Sequence, residues 1–186
     1  ADLSLAAVQW PPVPAGWPQD AAQHLRGQRV LVLGLGASGL AMARWCVRAG
    51  AQVTVADTRS APPQLALLQA ELPSVRFIAG PLSAELVAGQ DVTSVYRSPG
   101  LAPQEIAPVV DAARAIGLPV GGELDLFAKA LAALAQQHGY APKVLAITGT
   151  NGKTTVTALT GHLLEHAGWS VAVAGNIGPS LLDTLE

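Results

Sequence analysis

A run of residues late in the chain combines glycines, a lysine and threonines at a spacing that suits phosphate binding. An apolar stretch with β-branched residues, 144–148, leads into residues 149–155, which read Gly-Thr-Asn-Gly-Lys-Thr-Thr. Glycines let successive backbone N–H groups converge on phosphate oxygens, and the helix that follows adds the positive end of its dipole. In this arrangement Lys153 is placed for the β- and γ-phosphates and the Thr154 hydroxyl for Mg²⁺.

The run departs from the strict phosphate-loop pattern at one position. The pattern G-x-x-x-x-G-K-[ST] requires a glycine where this chain has Ile147. The alternative is an ordinary turn before a helix that is capped by Thr154 or Thr155. That alternative gives no reason for the lysine and the two glycines, so we expect a phosphate site here.

A second glycine-rich loop lies near the start of the chain. Gly34, Gly36 and Gly39 follow an apolar stretch and open a helical pattern, and Asp57 ends the next apolar stretch, 18 residues after Gly39. This layout is the dinucleotide fingerprint of Rossmann-like folds. The residues alone leave three alternatives open, namely NAD, another ligand with a diphosphate such as a nucleotide sugar, or no ligand. Asp57 could accept hydrogen bonds from a ribose hydroxyl or a base edge, and Arg59 could bind an anion.

Strands and helices alternate along the chain, which predicts an α/β fold with parallel sheets in two units. The expected strands cover residues 29–33, 52–56, 75–78, 91–96, 118–120, a stretch directly before the phosphate loop, and 170–174. The expected helices cover about 37–49, 64–72, 103–116 and 123–137, and one more runs from the phosphate loop to about 167.

The order of these elements predicts four segments. Residues 1–25, which contain Trp10, Trp17 and four prolines, are expected to be an extension. A Rossmann-like domain over residues 26–137 and a linker at 138–142 follow. Residues 143–186 then form the start of an ATP-binding domain with a phosphate loop. Such a domain needs several more strands, so we expect the chain to be the N-terminal part of a larger enzyme.

Composition excludes several classes of protein. Half of the 186 residues are hydrophobic, 13% are charged, and the net charge is −2 without blocks of like charge. These values predict a packed core and no nucleic-acid surface. There is one cysteine, no apolar segment long enough to span a membrane, and no signal-peptide pattern. We therefore expect a cytoplasmic protein that does not bind membranes.

Three further groups of residues could do chemistry or bind a ligand. His162 and His166 flank Glu165 in an H-x-x-E-H pattern, but no third zinc ligand is evident. Gly100 follows an expected strand of the first unit, and Asn176 follows one of the second. The carboxyl ends of parallel strands are where ligands bind, so both residues are candidates for substrate contact. For Asn176 the alternative is an ordinary turn over residues 175–178 without a ligand.

The motifs together resemble the Mur ligases of peptidoglycan synthesis, over residues 26–186. The resemblance rests on Gly-Leu-Gly-Ala-Ser-Gly at 34–39, Asp-Thr-Arg at 57–59, Ser-Pro-Gly at 98–100, Thr-Gly-Thr-Asn-Gly-Lys-Thr-Thr at 148–155 and Gly-Asn-Ile-Gly at 175–178, in that order. It implies that the first loop binds the UDP part of UDP-N-acetylmuramoyl-L-alanine and not NAD. It also implies a monomer that uses ATP and Mg²⁺ to join this substrate to D-glutamate.

The resemblance carries roles over to individual residues. For the UDP-linked substrate the implied binding residues are Ala37, Ser38, Asp57, Thr58, Arg59, Gly100 and Asn176. For ATP they are Gly149, Thr150, Asn151, Gly152, Lys153, Thr154 and Thr155. Lys153 and Thr154 are the implied catalytic residues, and Thr154 is the implied Mg²⁺ ligand.

The implied reaction forms an amide through an acyl phosphate, with Lys153 and Mg²⁺ stabilising the charge on the transferred phosphoryl group. Other catalytic groups of the family would lie beyond Glu186, so we expect no ligation by these 186 residues alone. Two alternatives remain at this point. One is an NAD-dependent oxidoreductase, which leaves the Lys153 loop unexplained. The other is a non-catalytic nucleotide-binding module, which would bind ATP but no muramoyl ligand.

Overall fold

A parallel sheet with helices on both faces forms the body of the protein in a computed structural model. The structure describes residues 20–176 and 178–185. Within those residues, five strands pair in the order β3-β2-β1-β4-β5, and every pairing is parallel. The strands are β1 (Arg29–Leu33), β2 (Gln52–Asp57), β3 (Arg76–Ala79), β4 (Ser94–Arg97) and β5 (Val120–Gly122). The expected α/β class and parallel sheet are confirmed.

Helices form the crossovers from β1 to β2, from β2 to β3 and from β4 to β5, whereas the crossover from β3 to β4 contains only a short 3₁₀ turn. The helices are α1 (Ala37–Arg48), α2 (Leu65–Glu71), α3 (Pro103–Ala115), α4 (Glu123–His138) and α5 (Lys153–His166). Short 3₁₀ turns occur at Gln23–Leu25, Ala84–Leu86 and Leu182–Leu185. Among the described residues no helix is long and apolar enough to cross a bilayer.

The central strand β1 divides the core in two, because alternate side chains of a strand point to opposite faces. Val30 and Val32 pack on one face with side chains of α1 and α4. Leu31 and Leu33 pack on the other face with side chains of α3. All four side chains are buried, as expected for a strand that is covered on both sides.

The start of the described chain belongs to this core. Ala21, Ala22 and Leu25 are buried in the cluster that includes α1 and α4. The expected extension over residues 1–25 therefore does not hold for its last residues, whose apolar side chains are removed from water by the first unit. Trp10 and Trp17 lie outside the described residues.

Two expected strands of the second unit are wrong. In the described chain neither 144–148 nor 170–174 forms a strand, and neither pairs with another segment. Val144 and Leu145 are 60% and 63% exposed. A strand is stabilised by ladder hydrogen bonds and by a buried face, and these residues have neither. The expected strand at 91–96 is also shorter, because pairing with β1 begins at Ser94.

Close packing between a loop and a helix fixes the turn after β1. A Cβ atom at Gly39, inside α1, would lie 1.9 Å from the backbone oxygen of Gly34. Gly34 itself has φ +86°, a conformation that favours glycine. Gly36 is different, because its backbone is extended (φ −94°) and a Cβ there would meet no atom within 4 Å.

This contrast predicts that alanine substitutions at Gly39 and Gly36 differ in their effect on stability. Gly39→Ala should lower the free energy of unfolding by about 3 kcal/mol, because backbone must shift to admit the methyl group. Gly36→Ala, the matched control, should change it by less than about 0.5 kcal/mol. Urea unfolding of both variants measures the difference, and equal losses would contradict the packing described here.

Candidate functional site

The first glycine loop lies at the carboxyl edge of the sheet, where three strands end side by side. The backbone N–H of Gly34 donates to Ala56 O (2.8 Å), and the N–H of Ser98 donates to Leu33 O (2.8 Å). The chain proceeds outward from β1 through β2 to β3 and then returns to place β4 on the other side of β1. The loop therefore sits at the point where the strand order reverses, which is the usual ligand position in open α/β sheets.

The carboxylate of Asp57 ties the loop to the end of β2. Its Oδ2 accepts hydrogen bonds from the Leu35 N–H (2.7 Å) and from Arg59 Nη2 (2.8 Å). Its Oδ1 accepts from the Arg59 N–H (2.9 Å) and from Arg59 Nε (2.8 Å). Asp57 is fully buried, whereas the Arg59 side chain is 50% exposed. A buried carboxylate thus binds one edge of a guanidinium group, and half of the Arg59 side chain is exposed to solvent.

These contacts keep Asp57 ionised. The Arg59 side chain is the largest cause, and with the two backbone N–H donors it lowers the pKa of Asp57 to about 2 against the effect of burial. The side-chain hydrogen bonds with Asp57 also raise the pKa of Arg59 above its ordinary value.

The start of α1 leaves room for a ligand. Within the described chain no side chain caps this helix, and Gly36 is its N-cap residue. Ala37 is exposed and Ser38 is half-buried in the first turn. Uncapped N–H groups at a helix N-terminus bind anions, and the missing side chain at Gly36 lets a ligand approach them.

The other expected substrate-binding residues of the first unit lie at the same edge. Thr58 is exposed directly after β2, and Gly100 is exposed three residues after the end of β4.

Asn176, in the second unit, is exposed in a turn closed by a hydrogen bond from the Gly175 N–H to Pro179 O (3.0 Å). No described hydrogen bond joins Asn176 to the first loop, and Ile177 lies outside the described residues.

The second glycine loop also ends at an uncapped helix. Gly152 is the N-cap residue of α5, and no side-chain cap is found among the described residues. Neither Thr154 nor Thr155 caps the helix, so helix capping does not explain this turn. Gly149 and Gly152 have φ of +155° and +76°, which the loop needs in order to turn into the helix.

Lys153 is folded over this loop. Its ammonium group donates to the backbone oxygen of Gly149 and lies 3.4 Å from that of Thr150. Thr150, Asn151, Thr154 and Thr155 are all exposed. The loop thus offers free helix N–H groups, a lysine and hydroxyl groups together, which are the groups that bind a triphosphate and its Mg²⁺.

At such a loop Mg²⁺ needs few ligands from the protein. Bound with nucleotide phosphates, it keeps several waters and takes few protein ligands, so the single hydroxyl of Thr154 fits this role. In the part of the chain that the structure describes, no group of three or more His, Cys, Asp or Glu side chains could hold a metal ion. His162 Nδ1 and Glu165 Oε2 lie 3.7 Å apart on an exposed stretch of α5.

One contact between the two units was missed by sequence reasoning. Glu123, at the start of α4, is buried, and its Oε1 accepts a hydrogen bond from the Leu182 N–H (3.2 Å). Leu182 and Leu185 pack in the core cluster of the first unit. An acidic residue at a helix start is explained by the helix dipole alone, so the sequence carried no signal for this contact.

The Asp57–Arg59 pair predicts a loss of stability at acid pH. The pKa of Asp57 is lowered from 3.8 to about 2, so its contribution of about 2 kcal/mol is present above pH 4 and lost as the pH falls toward 2. Asp57→Asn should be less stable than the wild type by about this amount at pH 6 and equally stable near pH 2. Urea unfolding from pH 2 to pH 7 measures the gap.

Asp91→Asn is the matched control for this measurement. Asp91 pairs with Arg29 at 3.7 Å, but both side chains are exposed (83% and 50%). Such a pair contributes at most about 1 kcal/mol, so the gap should be small at every pH. A gap for Asp57→Asn that does not change with pH would contradict the ionised, buried pair.

Comparison with known proteins gives the chain a family. Residues 28–122, just over half of the chain, match the family described as Mur ligase MurD-like, N-terminal domain. Residues 147–185 match the Mur ligase middle domain.

Three similar proteins are each named UDP-N-acetylmuramoylalanine–D-glutamate ligase. The protein from Albidiferax ferrireducens is 67% identical over 87% of this chain and 32% of its own length. The one from Polaromonas sp. is 47% identical over 88% of this chain and 43% of its own length. The one from Cupriavidus pinatubonensis is 60% identical over 88% of this chain and 32% of its own length. The chain thus spans about a third to two fifths of the length of these relatives.

Each matched range contains one of the two glycine loops. The first range contains the loop after β1, and the second contains the loop before α5. The chain belongs to the MurD-like Mur ligases.

Proposed function

We propose that the chain supplies both nucleotide sites of an ATP-dependent ligase that adds D-glutamate to UDP-N-acetylmuramoyl-L-alanine. The observation that carries the proposal is the presence of two glycine loops, each leading into a helix that no described side chain caps. One loop suits a diphosphate and the other suits a triphosphate, as a UDP-linked substrate and ATP require. The names of the relatives supply the identities of the substrates.

The first unit would bind the UDP group. Ala37 and Ser38, in the first turn of α1, would donate to the diphosphate across the space left by Gly36. Thr58 and Arg59 lie beside this turn at the end of β2 and would hold the uridine. Gly100 would add a backbone contact from the end of β4, and Asn176 would contact the muramoyl part from the second unit.

The second loop would bind ATP. Gly149, Thr150, Asn151 and Gly152 would place backbone N–H groups around the phosphates, and Thr154 and Thr155 begin the helix behind them. Lys153 would exchange its contacts with the loop carbonyls for the γ-phosphate, and Thr154 would bind Mg²⁺. When bound, the metal would neutralise charge on the transferred phosphoryl group.

The proposed reaction has two steps. The L-alanyl carboxylate attacks the γ-phosphorus, the bond to the bridging oxygen breaks, and ADP leaves. The amine of D-glutamate then attacks the carbonyl of the acyl phosphate, loses a proton and expels phosphate. In the first step Lys153 would stabilise the negative charge of the transferred group, because positioning and electrostatics are the main contributions of a protein to phosphoryl transfer.

The proposal extends to organisation and location. We propose a substrate domain that ends at residue 137, a linker at 138–142 and an ATP-binding unit from residue 143. The protein would act as a cytoplasmic monomer in peptidoglycan synthesis. The alternative function, an NAD-dependent oxidoreductase, has no use for Lys153 and its loop.

The ATP site is tested by Lys153→Met. We expect about 100-fold weaker binding of Mg-ATP, because a charge-assisted contact to the γ-phosphate is lost, while the affinity for UDP-N-acetylmuramoyl-L-alanine stays within about two-fold of the wild type. Isothermal titration calorimetry with each ligand measures both affinities. Lys129→Met, an exposed lysine on α4, is the control and should bind Mg-ATP normally. Unchanged Mg-ATP affinity in Lys153→Met would contradict the ATP site.

The diphosphate site is tested by Gly36→Ala. The added methyl group would meet no protein atom within 4 Å but would occupy the space through which a diphosphate reaches α1. We expect at least about ten-fold weaker binding of the muramoyl nucleotide with unchanged Mg-ATP binding. Full affinity for the muramoyl nucleotide in this variant would place its diphosphate elsewhere.

A further inference from the structure

The Glu123 carboxylate is buried at the carboxyl edge of the sheet, although helix α4 does not need it as a cap. Glu123 directly follows β5 and is the first residue of α4, and only 8% of its surface is exposed. The capping hydrogen bond of α4 comes from Asp125, whose Oδ2 accepts from the Gly122 N–H (2.7 Å). A buried charged group is costly unless a partner binds it, so Glu123 requires a partner outside its own helix.

This partner belongs to the second unit. Glu123 Oε1 accepts a hydrogen bond from the Leu182 N–H (3.2 Å), and no other side-chain hydrogen bond or ion pair of Glu123 is found among the described residues. Leu182 is the first residue of the 3₁₀ turn Leu182–Leu185, so its N–H has no acceptor within that turn. Leu182 and Leu185 are buried in the core cluster that includes α1 and α4. Apolar burial has no direction, whereas the hydrogen bond to Glu123 fixes how the turn is oriented.

A short, constrained segment connects Asn176 to this 3₁₀ turn. Ser180 is buried, and its Oγ accepts a hydrogen bond from a backbone N–H of the turn (3.2 Å). Pro179, directly before Ser180, has a restricted φ, and its backbone oxygen accepts from the Gly175 N–H (3.0 Å). The turn that carries Asn176 is therefore closed onto the segment that the Glu123 carboxylate holds.

The lengths involved suit a ligand that extends from the first glycine loop. In the sheet β5 lies two strands away from β1, which is about 10 Å. Asn176 precedes Leu182 by six residues, a span of at most about 20 Å. These lengths allow Asn176 to contact the part of a substrate that lies beyond a diphosphate bound at Gly36.

We propose that Glu123 is a positioning residue that holds Asn176 in place for the muramoyl part of the substrate. This inference rests on the proposed function and deepens it, because it names a residue on which recognition of the muramoyl part depends without direct contact. UDP lacks that part and needs no contact with the second unit. Loss of the hydrogen bond between Glu123 and Leu182 therefore weakens binding of the muramoyl nucleotide and leaves binding of UDP unchanged.

Calorimetric titration of the full chain with UDP-N-acetylmuramoyl-L-alanine and with UDP tests this role. Glu123→Met removes the acceptor at similar side-chain length, and we expect about ten-fold weaker binding of the muramoyl nucleotide with UDP affinity within about two-fold of the wild type. Glu123→Gln keeps an oxygen for the Leu182 N–H and should bind both ligands within about two-fold of the wild type. Unchanged muramoyl affinity in Glu123→Met, equal losses for both ligands, or an equal loss in Glu123→Gln would overturn the positioning role.

A double-mutant cycle tests whether Glu123 acts through Asn176. Asn176→Ala alone should bind the muramoyl nucleotide about ten-fold more weakly, and its combination with Glu123→Met should match it within about two-fold. A further ten-fold loss in the double variant, or full affinity in Asn176→Ala, would overturn the proposal. Glu85→Met, at an exposed glutamate in the 3₁₀ turn Ala84–Leu86, is the control and should bind both ligands as the wild type does.

Amide hydrogen exchange of the ligand-free chain supplies a readout that does not depend on the substrate. The Leu182 amide should exchange at least about ten-fold faster in Glu123→Met than in the wild type and Glu123→Gln, and equal rates in all three would overturn the proposal. If Glu123→Met does not fold, Glu123→Ala replaces it with the same expected results, since alanine suits a helix and Asp125 keeps the cap.

The titrations separate this inference from the proposed function. If the wild-type chain does not bind the muramoyl nucleotide, the proposed function fails, and the positioning role fails with it. If the wild type binds the muramoyl nucleotide and Glu123→Met binds it equally well, only the positioning role fails.

Discussion

The buried carboxylate of Asp57 is the interaction on which the first site depends. A charge taken fully out of water is costly unless donors satisfy it, and here four hydrogen bonds do so. Each bond also fixes a part of the site, since the Leu35 N–H belongs to the loop after β1 and Arg59 follows β2. The requirement to satisfy one charge therefore sets the position of the glycine loop and the direction of the guanidinium group together.

Glycines set the remaining geometry because they have no side chain. The contact between Gly39 and the Gly34 oxygen brings α1 onto β1, so its N-terminus opens at the edge where the strand order reverses. Gly36 serves another purpose, since no protein atom needs the space beside it. The fold would accept a side chain at Gly36, so a ligand is the best explanation for a glycine at this position.

The sequence predicted the first unit well because its signals are local. Apolar runs separated by helical patterns gave the parallel α/β sheet, and three glycines with an acidic residue after the next strand gave the loop and Asp57. The partner of Asp57 could not be predicted, because spacing does not say whether a carboxylate faces a ligand or folds back on Arg59. Long-range contacts were missed for the same reason, as in the burial of Ala21 and Ala22 and the hydrogen bond from Leu182 to Glu123. In the second unit the apolar pattern at 144–148 predicted a strand, but pairing depends on a neighbouring segment and none is found in the described chain.

The proposed function requires the first loop to bind a UDP-linked muramoyl substrate and not a nicotinamide cofactor. Its most direct test is parallel calorimetric titration of the wild-type chain with UDP-N-acetylmuramoyl-L-alanine and with NAD. The arrangement of Gly36, Asp57 and Arg59 predicts saturable binding of the muramoyl nucleotide and no heat of binding from NAD. Saturable binding of NAD without binding of the muramoyl nucleotide would contradict the claim.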